Sequence, residues 1–228
     1  MSAPLVSIMM PAWNVEKYIG QAIESITDQT YQNWELCIVD DGSTDDTLAV
    51  IKQYARSDDR IKFTARRHSG CPATRNACLN MMSGILYARQ DADDLSDRRR
   101  IQYQVEYLLE HTGKDIVTTK MYWLKNGRVI PQNSGAMEIG SYLEGSGGSP
   151  VNASIVAWRG VYDSIGNFDK TMPAGSDGDW NFRAIDKGMT WGFLNEPLYI
   201  YRRHAGQITQ RMRKEQRDSH ERSRKNYQ

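Results

Sequence analysis

The sequence predicts an α/β fold in which a mainly parallel sheet is flanked by helices. Short apolar runs alternate with segments of helical spacing through the first half of the chain. This alternation is typical of parallel strands joined by right-handed helical crossovers. With 228 residues the chain is long enough to bury one sizeable core. We therefore expect one main domain, residues 1–209, followed by a basic tail, residues 210–228.

The first half of the chain is predicted to contain four strands and four helices. Leu5–Met10 is an apolar run halted by Pro11, which lacks the N–H donor that a sheet ladder needs. Asn14 is the predicted N-cap of the first helix. The remaining strands are expected at Trp34–Val39, Ile61–Thr64 and Gly84–Arg89, and the helices at Val15–Asp28, Thr47–Arg56, Pro72–Ser83 and Arg100–His111.

The second half is less regular. Strands are predicted at Asp115–Tyr122, Arg128–Ile130, Ser154–Trp158 and Leu198–Tyr201, and helices near Tyr162 and at Ser176–Lys187. Asn126-Gly127 indicates a tight hairpin turn between the first two of these strands. Gly140–Gly148, rich in glycine and serine, is expected to be a loop or a linker. The polar tail from Gln210 is predicted to be either an extended basic helix or disordered.

Two acidic clusters each follow an apolar run. Asp40-Asp41 ends the second strand, and Asp91, Asp93 and Asp94 end the fourth. Parallel α/β sheets bind ligands at the carboxyl ends of their strands, so the topology places both clusters on one rim. Crowded carboxylates repel one another unless solvent or a cation offsets the repulsion. A solvated acidic turn and a divalent metal shared with a substrate phosphate are the two interpretations of the second cluster.

Composition excludes some classes of protein. Lysine and arginine number 29 against 28 acidic residues, so no global charge marks a nucleic-acid binder. The charge is uneven, because the segment from Tyr201 onward carries nine basic residues against three acids. Three cysteines in or near apolar segments indicate free thiols in a reducing compartment. Neither a signal peptide at Met1–Pro4 nor a membrane span is expected, which predicts a cytoplasmic protein.

Seven short segments together resemble the inverting family 2 glycosyltransferases, which have the GT-A nucleotide-sugar fold. The resemblance extends from about Val6 to Thr209. The segments are Val6–Asn14, Ile38–Asp45, Gly70 with Thr74–Asn76, Gln90–Asp94, Gly166–Asp169, Asp177–Trp180 with Arg183, and Tyr201–His204. It implies a nucleotide-sugar-binding half, residues 1–112, and an acceptor-binding half, residues 113–209.

The resemblance also implies roles for individual residues of the donor site. Pro11 and Ala12 are expected beside the nucleotide base, and Asp40 is expected to accept a hydrogen bond from it. Arg75 is expected to approach the nucleotide. Asp91, with its neighbour Ala92, is expected to contact the ribose or the metal. Asp93 is expected to coordinate Mn²⁺ or Mg²⁺, and His204 is expected to contact the metal or the diphosphate.

Asp177 is the catalytic base that the resemblance implies. A carboxylate within hydrogen-bond reach of an acceptor hydroxyl is an ordinary general base. Asp177 and Asp179 also stand at a predicted helix start, where acids stabilise the helix dipole, and Ser176 replaces the glutamate that commonly precedes the base. Arg98–Arg100 is predicted to be a solvated helix start, with contact to an anionic acceptor or the diphosphate as the alternative.

The leading functional hypothesis is a metal-dependent inverting transferase that moves a sugar from a nucleotide donor, with UDP as the preferred nucleotide. The expected acceptor is a hydroxyl group of a glycan, a lipid-linked molecule or another compound. Bacterial surface polysaccharide or glycoconjugate synthesis is the expected setting, with the basic tail touching the anionic inner face of a membrane. The alternatives are transfer to a modified nucleic-acid base, with the tail neutralising phosphates, and a non-catalytic sugar-binding module. A sugar-1-phosphate nucleotidyltransferase is excluded, because Pro11–Asn14 is not a glycine-rich phosphate loop.

Overall fold

A computed structural model describes residues 3–131 and 150–227 of the chain. The strands are β1 (Val6–Ala12), β2 (Trp34–Asp40), β3 (Ile61–Ala65), β4 (Leu86–Arg89), β5 (Leu95–Ser96), β6 (Ile116–Lys125), β7 (Arg128–Pro131), β8 (Val156–Trp158) and β9 (Trp191–Arg202). The helices are α1 (Ile19–Thr27), α2 (Thr47–Ser57), α3 (Cys71–Leu79), α4 (Arg100–Glu110), α5 (Arg159–Ile165), α6 (Ser176–Asp186), α7 (Ile208–Arg211) and α8 (Arg213–Asn226). None of the helices described in these ranges is long and apolar enough to cross a membrane.

The strands form one mixed sheet in the order β3-β2-β1-β4-β8-β6-β9-β5, and β7 pairs with β6. β1 runs parallel to β2 and β4, and β2 runs parallel to β3. β8 is antiparallel to both of its neighbours, whereas β6 and β9 are parallel. The predicted α/β fold with a mainly parallel sheet is therefore confirmed, and the carboxyl ends of β1, β2 and β4 lie at one rim.

Helices cover both faces of the sheet. In β1, Ile8 and Met10 pack into a core cluster with α1 and α4, whereas Met9 packs into a second cluster with α5 and α6. The alternation follows from the pleat, which sends successive side chains to opposite faces. Both faces of β1 and β2 are buried, so these strands are apolar almost throughout.

The first helix begins later than predicted, and the predicted cap is wrong. α1 starts at Ile19 after Tyr18 rather than at Val15. Asn14 has a φ of 50°, a left-handed conformation that asparagine tolerates better than most residues. Its side-chain oxygen accepts a hydrogen bond from the Thr44 N–H at 2.8 Å. Asn14 therefore joins the loop after β1 to the loop after β2 instead of capping a helix.

The second half differs from the prediction mainly in strand length. The hairpin turn is confirmed, since Asn126 and Gly127 both have positive φ between β6 and β7. β9 is longer than the predicted Leu198–Tyr201 because it begins at Trp191 and pairs along β6 through a register shift. Pro197 lies opposite Lys120 at that shift, so a proline is accommodated within a long strand. The predicted loop or linker at 140–148 lies outside the described residues.

The tail after Gln210 is helical, which resolves the two predicted alternatives. α8 packs against α6 through Ser219 and Ser223, which are buried although the helix has no apolar stripe. Small side chains allow the close approach. A Cβ placed on Gly175, which has a φ of +87°, meets the Ser219 Cβ at 2.9 Å. Glycine at this position therefore serves both the left-handed turn before α6 and the contact with α8.

The predicted solvated helix start at Arg98–Arg100 is correct for Arg98 and Arg99, which are exposed, and wrong for Arg100, which is fully buried. The Arg100 guanidinium donates hydrogen bonds to the side-chain oxygens of Gln90 and Gln104 and, at 3.5 Å, to the Ser154 carbonyl. Burial lowers the pKa of Arg100 to about 10. This arginine is therefore part of an interior polar network and is not available to an acceptor.

Candidate functional site

The rim formed by the carboxyl ends of β1, β2 and β4 opens on a cleft of about 820 Å³. Its far wall comes from α6 and from the segment that follows β9. All but one of the predicted site residues line it, namely Pro11, Ala12, Arg75, Asp91, Ala92, Asp93, Asp177 and His204. Residues separated by more than a hundred positions in the sequence thus meet at one cavity.

Asp40 is the predicted site residue that does not line the cleft. It is 1% exposed, and its Oδ2 accepts a hydrogen bond from the Ser43 N–H at 3.2 Å. Asp41 lines the cleft instead, and its carboxylate accepts hydrogen bonds from the N–H groups of Ser69 and Gly70. The His68 Nδ1 lies 2.9 Å from the same carboxylate. The base contact of Asp40 stays a prediction, and Asp41 is the carboxylate that the structure brings to the cavity.

Arg75 links two carboxylates that come from different elements. Its Nη2 lies 3.7 Å from Asp91 Oδ1 in the turn after β4 and 4.0 Å from Asp177 Oδ2 in the first turn of α6. Burial raises the pKa of Asp91 to about 6, and Asp93 and Asp177 add to the rise while Arg75 opposes it. Carboxylates near one another repel, and a cation between them offsets that repulsion. Arg75 supplies one such charge.

Asp93 and His204 form a second pair of contacting side chains in the cleft. His204 Nε2 lies 2.9 Å from Asp93 Oδ2, and both side chains are mostly buried. The imidazole also packs on Tyr18, with 4.4 Å between the ring centroids. The backbone N–H of His204 donates to the Gln207 side chain at 3.1 Å. His204 is thus fixed by three separate contacts at the edge of the Asp91–Asp94 turn.

Asp94 fastens that turn to the end of β9. The side chain is fully buried, and its two oxygens accept hydrogen bonds from the Tyr199 hydroxyl at 2.9 Å and the Arg202 N–H at 2.8 Å. The Tyr199 hydroxyl also accepts from the Asp91 N–H at 3.2 Å. Burial raises the pKa of Asp94 well above its usual value, with the neighbouring Asp93 and Asp91 carboxylates adding to the effect. Asp94 therefore positions the strand end that carries His204.

The donor atoms around the turn determine which metal would fit. Within residues 3–131 and 150–227 no group of three or more histidine, cysteine or acidic side chains is arranged to hold a metal ion. Asp93, Asp91 and His204 nevertheless offer carboxylate oxygens and one imidazole along a single edge. Mg²⁺ and related hard ions are commonly held by one or two carboxylates together with substrate phosphates. The incomplete protein set therefore fits a divalent ion shared with a diphosphate.

Two aromatic side chains form a feature of the cleft that sequence reasoning missed. Trp13 and His68 stack with 4.5 Å between their ring centroids, and both line the cavity near Asp41. The His68 imidazole thereby contacts both the Trp13 ring and the Asp41 carboxylate. Their place in the sequence could have indicated this contact, because Trp13 directly follows β1 and His68 precedes α3, and both loops reach the predicted rim.

The tail helix also reaches the cleft. Arg211, Met212 and Gln216 line it beside Gly175 and Asp177. The guanidinium of Arg211 lies 5.9 Å from the Trp13 ring centroid on the opposite wall. The segment predicted as a basic tail is therefore part of the wall next to Asp177.

Comparison with known proteins gives the same family. Residues 7–158 match the family model described as "Glycosyl transferase family 2". EpsE of Bacillus subtilis, which carries a glycosyltransferase name, is 41% identical over 137 residues, covering 57% of this chain and 49% of EpsE. The glucosyltransferase WfgD of Escherichia coli, named for UDP-Glc and α-D-GlcNAc-diphosphoundecaprenol, is 37% identical over 108 residues, covering 47% of this chain and 42% of WfgD. The chain thus spans about half the length of these relatives or less.

Solved structures show the same fold. Staphylococcus aureus TarS 1–349 in complex with UDP-GlcNAc matches with a TM-score of 0.76 at 21% identity, covering 89% of this chain and 59% of that one. The mannosyltransferase PcManGT of Pyrobaculum calidifontis, in complex with GDP-Man and Mn²⁺, matches with a TM-score of 0.66 at 16% identity, covering 87% and 57%. At these identities the likeness shows the fold, and the predicted GT-A fold is confirmed.

Proposed function

Because the chain belongs to glycosyl transferase family 2, we propose that it transfers a sugar from a UDP-linked donor to a glycan hydroxyl with inversion, in the synthesis of a bacterial surface polysaccharide or glycoconjugate. One observation carries the proposal. Asp91 from the donor rim and Asp177 from α6 both lie within 4.0 Å of Arg75 Nη2 on the wall of one cleft. A nucleotide-binding carboxylate and an acceptor-side carboxylate are therefore a short distance apart.

The chemistry follows from that spacing. The acceptor hydroxyl gives its proton to the Asp177 carboxylate as its oxygen attacks the anomeric carbon. The bond from that carbon to the diphosphate breaks on the opposite face, and the electron pair leaves with the phosphate. A single displacement without an enzyme nucleophile inverts the anomeric centre, through a transition state of oxocarbenium character. Arg75 keeps the Asp177 side chain turned toward the cleft and offsets its charge next to Asp91.

The donor side is proposed to use the two carboxylate positions of the rim. Asp41, beside Trp13, would face the nucleotide base, and Asp91 would face the ribose. Asp93 and His204 would hold a Mn²⁺ or Mg²⁺ ion, which offsets the charge that develops on the departing diphosphate when it is bound. The UDP assignment is supported by the name of WfgD and by the TarS complex, whereas PcManGT carries a GDP-linked sugar.

Nucleotide binding is tested by thermal unfolding of the purified chain with UDP, GDP, ADP and CDP, each with and without Mn²⁺. A ligand at 100 times its dissociation constant adds about 2.7 kcal/mol of stability. We expect UDP with Mn²⁺ to raise the melting temperature most. If none of the nucleotides stabilises the chain, the donor site is wrong, and stabilisation by GDP alone would replace UDP as the donor nucleotide.

The base is tested with Asp177→Asn. Loss of a general base lowers kcat by about 10²–10⁴-fold, and UDP affinity should stay within threefold because the substitution leaves the rim intact. Asp179→Asn is the matched control on the same turn, since Asp179 binds Arg183 at 2.9 Å and does not line the cleft. Unchanged transfer in Asp177→Asn would contradict the mechanism. Steep loss of transfer to DNA with added salt, without transfer to sugars, would instead favour a nucleic-acid acceptor.

A further inference from the structure

Arg89 is a buried cation for which the proposed mechanism has no use. It ends β4, two residues before Asp91, and is 3% exposed. Its Nε donates a hydrogen bond to the Tyr162 hydroxyl at 3.0 Å. Neither Nη atom has a hydrogen-bond partner in the described part of the chain, and no carboxylate there lies within ion-pair distance of the guanidinium.

Aromatic rings surround the guanidinium instead of carboxylates. Its Cζ lies 4.2 Å from the Trp180 ring centroid, 5.1 Å from Phe168 and 5.7 Å from Tyr162. We call these three rings the aromatic cage. Trp180 is fully buried on α6, one turn after the base Asp177. The cage therefore connects the strand that leads to the donor turn with the helix that carries the base.

The cage is also fastened to the helix that carries Arg75. Asn76, the next residue of α3, donates to the Phe168 carbonyl at 2.9 Å and accepts from the Phe168 N–H at 2.8 Å. The Cζ of Arg75 lies 5.5 Å from the Phe168 ring centroid. Arg89 thus lies where β4, α6 and the segment after α5 meet, and Asn76 fastens that segment to α3.

A buried guanidinium without a paired carboxylate is a costly choice for stability alone. Cation–π contacts offset only part of the cost of removing a charge from water. Burial lowers the pKa of Arg89, which reflects the same cost. Arg60 shows the ordinary arrangement, since its guanidinium lies 3.7 Å from the Trp34 ring centroid, but its side chain is 34% exposed and is paired with Asp58 at 2.7 Å. Local arrangements that cost stability without compensation are typical of functional sites.

We propose that Arg89 is a positioning residue for the transfer step, because its contacts with the aromatic cage hold the first turn of α6, and with it Asp177, against the turn that carries Asp91. The inference rests on the proposed function, in which Asp177 is the base. Arg89 does not line the cleft, so we expect it to contact neither substrate. Its removal is therefore expected to affect kcat rather than donor binding.

The test compares Arg89→Met with Arg60→Met. Methionine fills a similar volume without charge, so Arg89→Met should keep the melting temperature or raise it. Displacement of a reacting group by about 1 Å costs up to about 100-fold in rate, and we expect kcat to fall at least about tenfold with UDP affinity within threefold. Hydrogen exchange of the amides in residues 176–180 should become faster than in wild type. Arg60→Met removes an arginine that packs on a tryptophan away from the cleft. In this variant kcat and the exchange rates of amides 176–180 should match those of wild type.

Each outcome decides the inference. The inference is overturned if Arg89→Met has a kcat within threefold of wild type. It is also overturned if kcat falls together with the melting temperature while amide exchange in residues 176–180 is unchanged. If Arg89→Met does not fold, Arg89→Lys decides, because lysine keeps the charge but cannot reach Tyr162 and Trp180 together. A folded lysine variant with kcat lowered at least threefold and unchanged UDP affinity supports the inference, and wild-type kcat overturns it. Absence of transfer in the wild-type chain would contradict the proposed function instead.

Discussion

Tyr199→Phe tests whether the donor turn depends on β9. The hydroxyl of Tyr199 donates to Asp94 Oδ2 at 2.9 Å and accepts from the Asp91 N–H at 3.2 Å. Tyr199 and Asp94 are both fully buried, so solvent cannot replace the lost group. The substitution therefore leaves a carboxylate oxygen and a backbone donor of the same turn without their partner.

The magnitude follows from these two contacts. Leaving a buried donor or acceptor without its partner costs about 1–3 kcal/mol, and the two groups that lose the Tyr199 hydroxyl together give about 3 kcal/mol. In a domain of this size each kcal/mol shifts the melting temperature by about 2–4 °C. Tyr199→Phe should therefore lower the melting temperature by about 6–12 °C. The concentration of Mn²⁺ needed for half-maximal UDP stabilisation should rise as well, because Asp91 and Asp93 lie on the loosened turn.

Thermal unfolding followed by circular dichroism measures the effect, with Tyr54→Phe as the control. The Tyr54 hydroxyl donates to Glu24 at the surface, where such a bond contributes less than about 1 kcal/mol. We expect the Tyr199 variant to lose at least twice as much stability as the control. Equal losses in the two variants would refute the reasoning, because the Asp91–Asp94 turn would then not depend on β9, the strand that precedes His204.

Three further predictions concern separate parts of the chain. Burial raises the pKa of Glu35, but hydrogen bonds from Lys62, Ser7 and Ser83 outweigh the effect of burial and lower the pKa to about 2. The ionised form of Glu35 therefore stabilises the fold above pH 4.5, and this contribution is lost as the pH falls toward 2. Because Lys62 is half exposed, the stability difference between wild type and Glu35→Gln in urea should shrink by about 2 kcal/mol over that range, and a constant difference would contradict it. His204→Ala should raise the Mn²⁺ concentration for half-maximal activity at least about tenfold while metal-free UDP binding is unchanged, as measured by titration calorimetry. Gly175→Ala should cost about 1–3 kcal/mol in urea unfolding, because its φ of +87° is strained for alanine and its Cβ meets Ser219, whereas Gly113→Ala meets no atom within 4 Å.

The convergence of the site was predictable from the sequence because it depends on topology. Two acidic clusters at the carboxyl ends of parallel strands in one sheet had to lie on one rim, and the structure places Asp91 and Asp93 there beside Asp177. Which carboxylate of the pair Asp40-Asp41 faces the cleft was not predictable. β2 is buried on both faces, so no alternation of polar and apolar residues reports the facing of its last residue.

The burial of Arg100 and of one face of the tail helix was not predicted, because the buried residues are polar. Arg100 and Gln104 are four residues apart and immediately precede Ile101 and Val105, so they share the buried side of α4. A run of three arginines nonetheless indicates solvent exposure by composition. In the tail, Ser219 and Ser223 have the same four-residue spacing, and a contact face made of small polar side chains has no hydrophobic signal.

Residues of the predicted acceptor half make contacts with the Asp91–Asp94 turn of the predicted donor half. The Asp91–Asp94 turn belongs to residues 1–112, yet Tyr199 and Arg202 satisfy its buried groups, and His204 completes its edge. Residues 1–112 alone would keep the strand ends but lose the hydrogen bonds that hold the Asp91 N–H and the Asp94 carboxylate. Since unpaired buried polar groups are costly, the turn in such a fragment would rearrange. The second half therefore completes the Asp91–Asp94 turn, which we propose as part of the donor site, and also carries Asp177, the proposed base.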